Sequence, residues 1–386
     1  MSPHATWTYP TAIRFGAGRI AELAEACRAA GIARPLLVTD PGIARLPIAA
    51  RLRGLLAAAG LGAGEFSEVQ PNPTEENVAA GLSVLRAGGH DGVVAFGGGS
   101  ALDCGKVVAF LHGQTRPMWD FEDVGDWWMR ADPAGILPVV AVPTTAGTGS
   151  EVGRAGVITN LATRTKKVIF HPAMMPRQVI CDAELTLGLP PALTAGTGMD
   201  AFAHCLEAYC APGYHPMAEG IAVEGMRLVQ EYLPRAYRDG SDLEARANML
   251  AAAAMGATAF QKGLGAIHAL SHPVGALYGT HHGLTNAVFM PYVLDFNREV
   301  LWDKIDRLAG WLEIDEGFSG FLDFVLRLRR DLGIPHTLDK IGVDKARFDE
   351  MARMAIADPT AGGNPRALTE DDARDLYERA LEGRVG

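Results

Sequence analysis

The stretch VVAFGGGSALDCGK, residues 93–106, decides the fold. It opens with a continuous run of β-branched and apolar residues, which is typical of a strand covered on both faces of a parallel sheet. Three glycines and a serine follow, and a helical apolar pattern then begins. Such a turn directs backbone N–H groups at a phosphate, which the helix dipole also favours. Because the spacing is not G-x-G-x-x-G, a purely structural turn is the alternative.

Similar strand and helix patterns alternate on both sides of this stretch. PLLVTD (35–40) is followed by GIARLPIAARLRGLLAAAG (42–60), and ILPVVAVPTT (136–145) lies further along. Strands that alternate with helices indicate a parallel sheet with crossover helices. The runs LLVTD and GVVAFGG are apolar almost throughout, so we expect them to be central strands.

The pattern changes after the pair Pro190-Pro191, where long alanine- and leucine-rich stretches replace the strand signals. In EDDARDLYERALEG the apolar spacing is helical, and Thr369 just before it has the character of a helix N-cap. We predict an α/β domain with a Rossmann-like parallel sheet over residues 1–190 and an all-helical domain over 191–386. A cleft between two domains is the usual place for a small-molecule site.

The composition excludes several classes of protein. The 386 residues are 48% hydrophobic and 21% charged, as in ordinary globular proteins, and the net charge of −10 argues against nucleic-acid and membrane partners. The N-terminal sequence MSPHATWTYP lacks the pattern of a leader, so we expect a cytoplasmic protein. The five cysteines are scattered without a Cys-x-x-Cys pair, which predicts reduced, buried thiols. A bound metal would therefore have nitrogen and oxygen ligands.

Two features suit a dinucleotide. The loop PTTAGTGSEV (143–152) follows an apolar strand, and ligands of open parallel sheets bind at the carboxyl ends of the strands. Asp40 ends the strand LLVTD, where its carboxylate can accept hydrogen bonds from an adenosine ribose and repel a 2′-phosphate, favouring NAD over NADP. The alternative is that Asp40 serves only the turn at Pro41-Gly42.

The histidines suggest a metal site. In GMDAFAHCLEAY (198–209), Asp200 and His204 are four residues apart and so lie on one face of a helix. GLGAIHALSHPVGALYGTHHG (263–283) adds two histidines four residues apart and a histidine pair before glycine. A single one of these histidines is more often a core residue than a ligand. Together, one carboxylate and three imidazoles suit Fe²⁺, Zn²⁺, Ni²⁺ or Co²⁺.

These motifs resemble the iron-containing (group III) alcohol dehydrogenase family, which includes lactaldehyde reductase and propanediol dehydrogenase. Further matches are FGAG (15–18), PNPT (71–74) and NPR (364–366), so that the resemblance runs nearly end to end. It implies a dehydroquinate synthase-like fold and a metal-dependent, NAD-linked oxidoreductase with Fe²⁺, or alternatively Zn²⁺. The ion would act as a Lewis acid on the substrate oxygen while hydride passes to nicotinamide.

The resemblance also implies roles for individual residues. It assigns the metal to Asp200, His204, His268 and His282. It places His272 beside the substrate as a proton relay and makes His281 a flanking residue. It assigns the dinucleotide to Asp40, Asn72, Gly98, Gly99, Ser100, Thr144, Thr145, Val152, Lys166 and Leu185.

Two basic residues, Arg154 and Lys262, lie in segments that line the pocket in similar proteins. We hypothesise that they bind an anionic group, making the substrate a hydroxy acid such as 4-hydroxybutyrate or its aldehyde acid, succinate semialdehyde. Otherwise the substrate is a small neutral alcohol or aldehyde. In the alternative interpretation, Lys262 reaches solvent and Arg154 braces the domain joint.

Three other functions have to be weighed. A dehydroquinate synthase-like lyase would produce no net NADH, and a hydroxyacid-oxoacid transhydrogenase would work without added NAD. A non-catalytic scaffold would have no use for four metal ligands. By resemblance we expect a homodimer or larger homo-oligomer, and WDFEDVGDWWMR (119–130) is interpreted as a surface or subunit-contact loop.

Overall fold

The computed structural model describes residues 9–386, so the start of the N-terminal sequence discussed above, residues 1–8, lies outside the described residues. The described chain divides into two compact units. The first comprises 9–145 and 149–188, and the second 146–148 and 189–386. The short segment 146–148 thus belongs to the second unit although it lies within the first unit's part of the chain.

The first unit is an α/β domain whose main sheet has six parallel strands. Their order is β1-β8-β5-β4-β2-β3, and a separate antiparallel pair is formed by β6 and β7. The elements are β1 (Ala12–Phe15), α1 (Leu23–Ala29), β2 (Pro35–Val38), α2 (Pro47–Ala58), β3 (Gly64–Phe66), α3 (Glu75–Ala87), β4 (Gly92–Gly97), α4 (Gly99–Leu111), β5 (Val139–Pro143), β6 (Ala155–Asn160), β7 (Thr165–Phe170) and β8 (Gln178–Cys181).

The two apolar runs are interior strands, as predicted. Every residue of β2 and β4 is buried, and each strand has a hydrogen-bonded neighbour on both sides. One face of the sheet packs on α1 and α2 through a core that includes Leu37, Phe96, Leu52 and Leu56. Strands buried on both faces need apolar residues at successive positions, which is why these two were visible in the sequence.

The β6–β7 hairpin was not predicted. Along β6, buried residues alternate with partly buried ones, and Lys166 and Lys167 interrupt the apolar pattern of β7. Residues 119–130 belong to this unit and lie at its surface over most of their length, but two of their aromatic side chains pack inward. Phe121 is fully buried against Phe110, and Trp128 meets Phe170 edge to face.

The second unit contains helices joined by loops and no strand within residues 189–386, which confirms the predicted fold class. Its helices are α5 (Pro191–Cys210), α6 (Pro216–Arg238), α7 (Leu243–Ala259), α8 (Ala266–Tyr278), α9 (His282–Phe296), α10 (Arg298–Trp311), α11 (Gly317–Asp331), α12 (Phe348–Ala357) and α13 (Glu370–Glu382). Thr369 is the N-cap of α13, as predicted, and its hydroxyl accepts the Asp372 N–H at 3.1 Å.

All five cysteines are free and buried, as the sequence indicated. Burial raises the pKa of Cys27, Cys104 and Cys205 to about 12, so these thiols stay protonated at neutral pH. None of the helices within residues 9–386 combines the length and the apolar character that a membrane crossing requires.

Candidate metal centre and cofactor site

Helix α5 contributes the first two candidate ligands. Asp200 and His204 lie four residues apart and project from one face of the helix, each only 3% exposed. Asp200 Oδ1 lies 3.9 Å from His204 Nε2. The predicted two-residue clamp on a helix is therefore present.

Helices α8 and α9 bring two more histidines to the same carboxylate. His268 Nε2 and His282 Nε2 lie 3.9 and 3.6 Å from Asp200 Oδ1. The approach of α9 to α5 depends on Gly283, where an added Cβ would lie 2.2 Å from the Gly196 carbonyl oxygen. Only a residue without a side chain permits this contact.

The four residues form a cluster that fits a divalent ion. Each offers one ligand atom, and all four atoms lie within 4.8 Å of one another. Ligand atoms around a tetrahedral ion with bonds of about 2.1 Å are roughly 3.4 Å apart, close to the distances from Asp200. One carboxylate and three imidazoles are suitable donors for a borderline ion such as Fe²⁺ or Zn²⁺.

Two buried neighbours of the cluster were missed in the sequence analysis. Glu207 Oε2 lies 2.5 Å from His268 Nδ1, and Glu207 Oε1 accepts the Ile267 N–H at 2.7 Å. Asn286 Nδ2 lies 2.8 Å from Asp200 Oδ1 and 3.1 Å from His282 Nε2. Both residues lie on the helical face of a ligand, three or four positions later, and that spacing is the signal that could have identified them.

Burial and the neighbouring carboxylates have opposite effects on the pKa of two of the imidazoles. Burial lowers the pKa of His204 to about 4, although Asp200 opposes this, so the ring is neutral and able to bind a metal. Burial would also lower the pKa of His268, but the Glu207 and Asp200 carboxylates outweigh it and the pKa is raised.

The turn after β4 has the features of a phosphate site. Gly97 has φ 144°, and an added Cβ would lie 2.8 Å from the Ala101 side chain. Helix α4 then begins at Gly99 with no side-chain cap, which leaves its first N–H groups to a ligand.

Four of the predicted cofactor residues lie together at the carboxyl ends of β2, β4 and β5. The Thr144 N–H donates to the Gly97 carbonyl at 2.9 Å, and Thr145 lies beside Gly98. Asp40 Oδ1 accepts the Gly42 and Ile43 N–H groups, as expected if Asp40 stabilises the turn at Pro41-Gly42. Since a carboxylate has a second oxygen, this turn does not exclude a contact with ribose.

The other predicted cofactor residues are more dispersed. Ser100 lies in the first turn of α4, and Val152 is buried in the 3-10 turn Ser150–Val152. Asn72 and Lys166 both adjoin Thr159: the Thr159 hydroxyl donates to the Asn72 carbonyl at 3.5 Å, and Lys166 pairs with Thr159 across the hairpin. The Leu185 side chain is part of the hydrophobic core.

Comparisons with known proteins identify the family. A model described as "Iron-containing alcohol dehydrogenase" matches residues 10–183, and one for the C-terminal part of the same family matches 194–381. The chain belongs to the iron-containing alcohol dehydrogenase family. It is therefore an oxidoreductase.

Relatives of this alcohol dehydrogenase have been named or solved. The 4-hydroxybutyrate dehydrogenase of Cupriavidus necator is 40% identical over 97% of this chain and 99% of its own length. A solved 1,3-propanediol oxidoreductase matches with a TM-score of 0.93 and 34% identity, covering 98% of this chain and all of its own. The sulfoacetaldehyde reductase of Bifidobacterium kashiwanohense, solved with NAD⁺, matches with a TM-score of 0.89 and 28% identity, covering 99% and 100%.

Two histidines of the segment 263–283, His272 and His281, are not candidate metal ligands and make other contacts. His272 Nδ1 lies 2.7 Å from Asp358 Oδ2, which leaves Nε2 for other contacts. Asp358 was missed, because nothing in its sequence context points to a histidine 86 positions away. His281 caps α9 by accepting the Leu284 N–H, so it is more than a flanking residue.

The two basic residues of the dehydrogenase differ in environment. The Lys262 ammonium donates to Glu219 Oε1 at 2.6 Å and to the Tyr209 carbonyl at 3.0 Å, and its side chain is 2% exposed. It therefore does not reach solvent, and two of the three donors of its ammonium are already used within the protein. Arg154 is half-buried over the Phe170 ring, and it has no ion pair within 4.0 Å among residues 9–386.

Proposed function

We propose that this dehydrogenase interconverts 4-hydroxybutyrate and succinate semialdehyde with NAD(H) and one divalent ion, Fe²⁺. The observation that carries the proposal is the cluster of Asp200, His204, His268 and His282, whose ligand atoms lie within 4.8 Å of one another. The substrate is supported by the 40% identity to the 4-hydroxybutyrate dehydrogenase of Cupriavidus necator.

The four clustered residues would hold the ion, which when bound supplies Lewis acid chemistry that favours loss of hydride from the alcohol carbon. Glu207 keeps the His268 ring in the orientation that presents Nε2 to the cluster. Asp358 does the same for His272, whose Nε2 would accept the hydroxyl proton of 4-hydroxybutyrate as C4 gives its hydride to NAD⁺. In reduction, the same nitrogen returns the proton.

We assign NAD to the edge formed by Asp40, Gly98, Thr144 and Thr145. The turn into α4 would take the pyrophosphate, and Asp40 would bind the ribose hydroxyls and repel the 2′-phosphate of NADP. The relative solved with NAD⁺ supports this choice of cofactor.

Arg154 is the residue we propose for the substrate carboxylate. Its guanidinium has no carboxylate partner within 4.0 Å among residues 9–386, whereas Lys262 is already paired with Glu219. Arginine binds carboxylates through two parallel N–H donors, which gives direction as well as charge.

We also propose that the enzyme acts in the cytoplasm as a homo-oligomer. Light scattering after size-exclusion chromatography would measure the number of subunits, and a monomer would contradict the proposal.

The test is NADH oxidation by protein reconstituted anaerobically with Fe²⁺, with Zn²⁺ or without metal, using succinate semialdehyde and butanal. We expect activity to need metal and to favour the charged aldehyde. Equal activity on both aldehydes would remove the assigned substrate but leave the dehydrogenase. Turnover without metal would overturn the metal centre, and turnover between a hydroxy acid and an oxo acid without added NAD would instead indicate a transhydrogenase.

A further inference from the structure

The α/β unit contains a buried ion pair that the proposed reaction does not use. Asp103 and Lys106 lie one turn apart on α4, and Lys106 Nζ is 3.3 Å from Asp103 Oδ1. Lys106 is 1% exposed and Asp103 is 8% exposed. Both belong to the stretch that follows the glycine turn.

Among residues 9–386, the other side-chain hydrogen bonds of this pair are all made with one segment, residues 150–157. Lys106 Nζ donates to the Ser150 carbonyl at 2.9 Å, to the Ala155 carbonyl and, more distantly, to the Gly153 carbonyl at 3.5 Å. Asp103 accepts the Ser150 hydroxyl through Oδ1 and the Val157 N–H, at 3.0 Å, through Oδ2. The pair therefore fastens this segment to α4.

Burying a lysine ammonium costs free energy, because the charge loses its hydration. Burial lowers the pKa of Lys106, against the attraction of Asp103 and Glu151, because the charged form loses its hydration. Replacing buried ion pairs by apolar residues is often neutral or stabilising, so stability alone does not account for such a pair.

The packing leaves the segment little room to move. At Gly156, an added Cβ would lie 2.6 Å from the Val107 side chain and 2.9 Å from the Asp103 carbonyl oxygen. Strand β6 therefore lies directly against α4, and the contacts of Lys106 and Asp103 set its position along the helix.

Helix α4 begins at the Gly98–Ser100 turn, and the fastened segment begins with the Ser150–Val152 turn. We propose that Asp103 and Lys106 are positioning residues that hold these two turns at a fixed separation, so that NAD⁺ binds to a preorganised site. The inference rests on the proposed function, which assigns NAD to the turn into α4, and on the assignment of Val152, in the second turn, to the dinucleotide by resemblance.

The test compares NAD⁺ binding with stability in three variants. Ser150→Ala removes a single hydroxyl, and Lys106→Met removes the cation. Arg86→Met is the matched control, because Arg86 is likewise a cation that donates to backbone carbonyls, those of Leu111 and His112, but at the far end of α4. Calorimetry gives the Kd for NAD⁺, circular dichroism the Tm, and steady-state kinetics KM and kcat.

We expect Ser150→Ala and Lys106→Met to raise the Kd for NAD⁺ by at least about fivefold, the lower end of usual coupling between sites. KM for NAD⁺ should rise by a similar factor and kcat should change much less, whereas Arg86→Met should leave the Kd unchanged. A lowered Tm with the wild-type Kd in folded Ser150→Ala protein would overturn the inference. If wild-type protein itself bound no NAD⁺, the cofactor assignment would fail, and with it this inference.

Discussion

Glu207 joins two helices through both carboxylate oxygens, one on His268 Nδ1 and one on the Ile267 N–H. Partners of this kind fix the orientation of a metal-binding histidine, and their loss typically weakens metal binding about 10- to 100-fold. We expect Glu207→Gln to raise the Kd for Zn²⁺ or Co²⁺ by such a factor, measured by competition with a chromophoric chelator. Glu224→Gln, which alters an exposed ion pair with Arg227, should leave it unchanged. An unaltered Kd in Glu207→Gln would contradict the role of Glu207.

Arg154 and Lys262 should respond differently to the charge of the substrate. A hydrogen bond to a charged group contributes roughly 1.5–3 kcal/mol, so Arg154→Met should lower kcat/KM for succinate semialdehyde about tenfold or more. The value for butanal should change little. Lys262→Met breaks the pair with Glu219 and should reduce both values equally. If Arg154→Met also reduced both equally, Arg154 would not bind the carboxylate.

Glu151 gives the protein a pH-dependent stability. Burial raises the pKa of this carboxyl from 4.5 to about 7, against the attraction of Lys106. Between those pH values the unfolded chain loses the proton while the folded protein keeps it, so stability falls as pH rises through this window.

A glutamine at position 151 has no proton to lose. Below pH 4.5, Glu151→Gln and wild type should therefore have nearly the same Tm. Above pH 7, the Tm of Glu151→Gln should be higher by several degrees, at about 2–4 °C for each kcal/mol of stability that wild type has lost. Scanning calorimetry across this range measures it. A difference that stayed constant with pH would mean that Glu151 does not titrate in this window.

At the scale of elements, the contact between α5 and α9 sets the distance between Asp200 and His282. An added Cβ at Gly283 would lie 2.2 Å from the Gly196 carbonyl oxygen and 2.8 Å from Asp200 Cβ. Gly283→Ala must displace α9, so we expect a stability loss of about 1–3 kcal/mol. We also expect a clear rise in the Kd for Zn²⁺.

Gly220→Ala is the matched control, because an added Cβ on this part of α6 meets nothing within 4 Å. Alanine is a better helix former than glycine by up to about 1 kcal/mol, so this variant should be as stable as wild type or more stable. Denaturant unfolding measures both variants. If the Gly283→Ala protein kept the wild-type metal affinity, α9 would be able to accommodate the added methyl group without displacing His282.

At the scale of the molecule, metal binding should be coupled to the folding of the helical unit. The four candidate ligands come from α5, α8 and α9, which are separated along the unfolded chain. A ligand that binds only the folded state stabilises it by about 4 kcal/mol at 1,000 times its Kd. We therefore expect Zn²⁺ to raise the Tm and a chelator to reverse the change.

His268→Ala should lose this metal-dependent rise in Tm, which differential scanning fluorimetry can follow. His112→Ala removes a histidine at the end of α4 and should keep the full rise. A rise of equal size in both variants would place the metal elsewhere.

Local patterns in the sequence determined much of this protein. The apolar runs of β2 and β4, the glycine turn before α4 and the change to helices near residue 190 were all predicted, because period and turn chemistry depend on neighbouring residues. So was the clamp of Asp200 and His204 on one helical face. The β6–β7 hairpin was missed because its lysine-containing second strand has no clear apolar run.

Contacts between distant segments were decided only by the tertiary structure. His268 and His272 share a face of α8, yet the packing of α5, α8 and α9 brings His268 to Asp200 and directs His272 to Asp358. Similarly, the Lys262 ammonium does not extend into solvent but donates to Glu219, which lies 43 positions away. Helical spacing fixes which side chains share a face, but the partner opposite that face depends on how the helices pack.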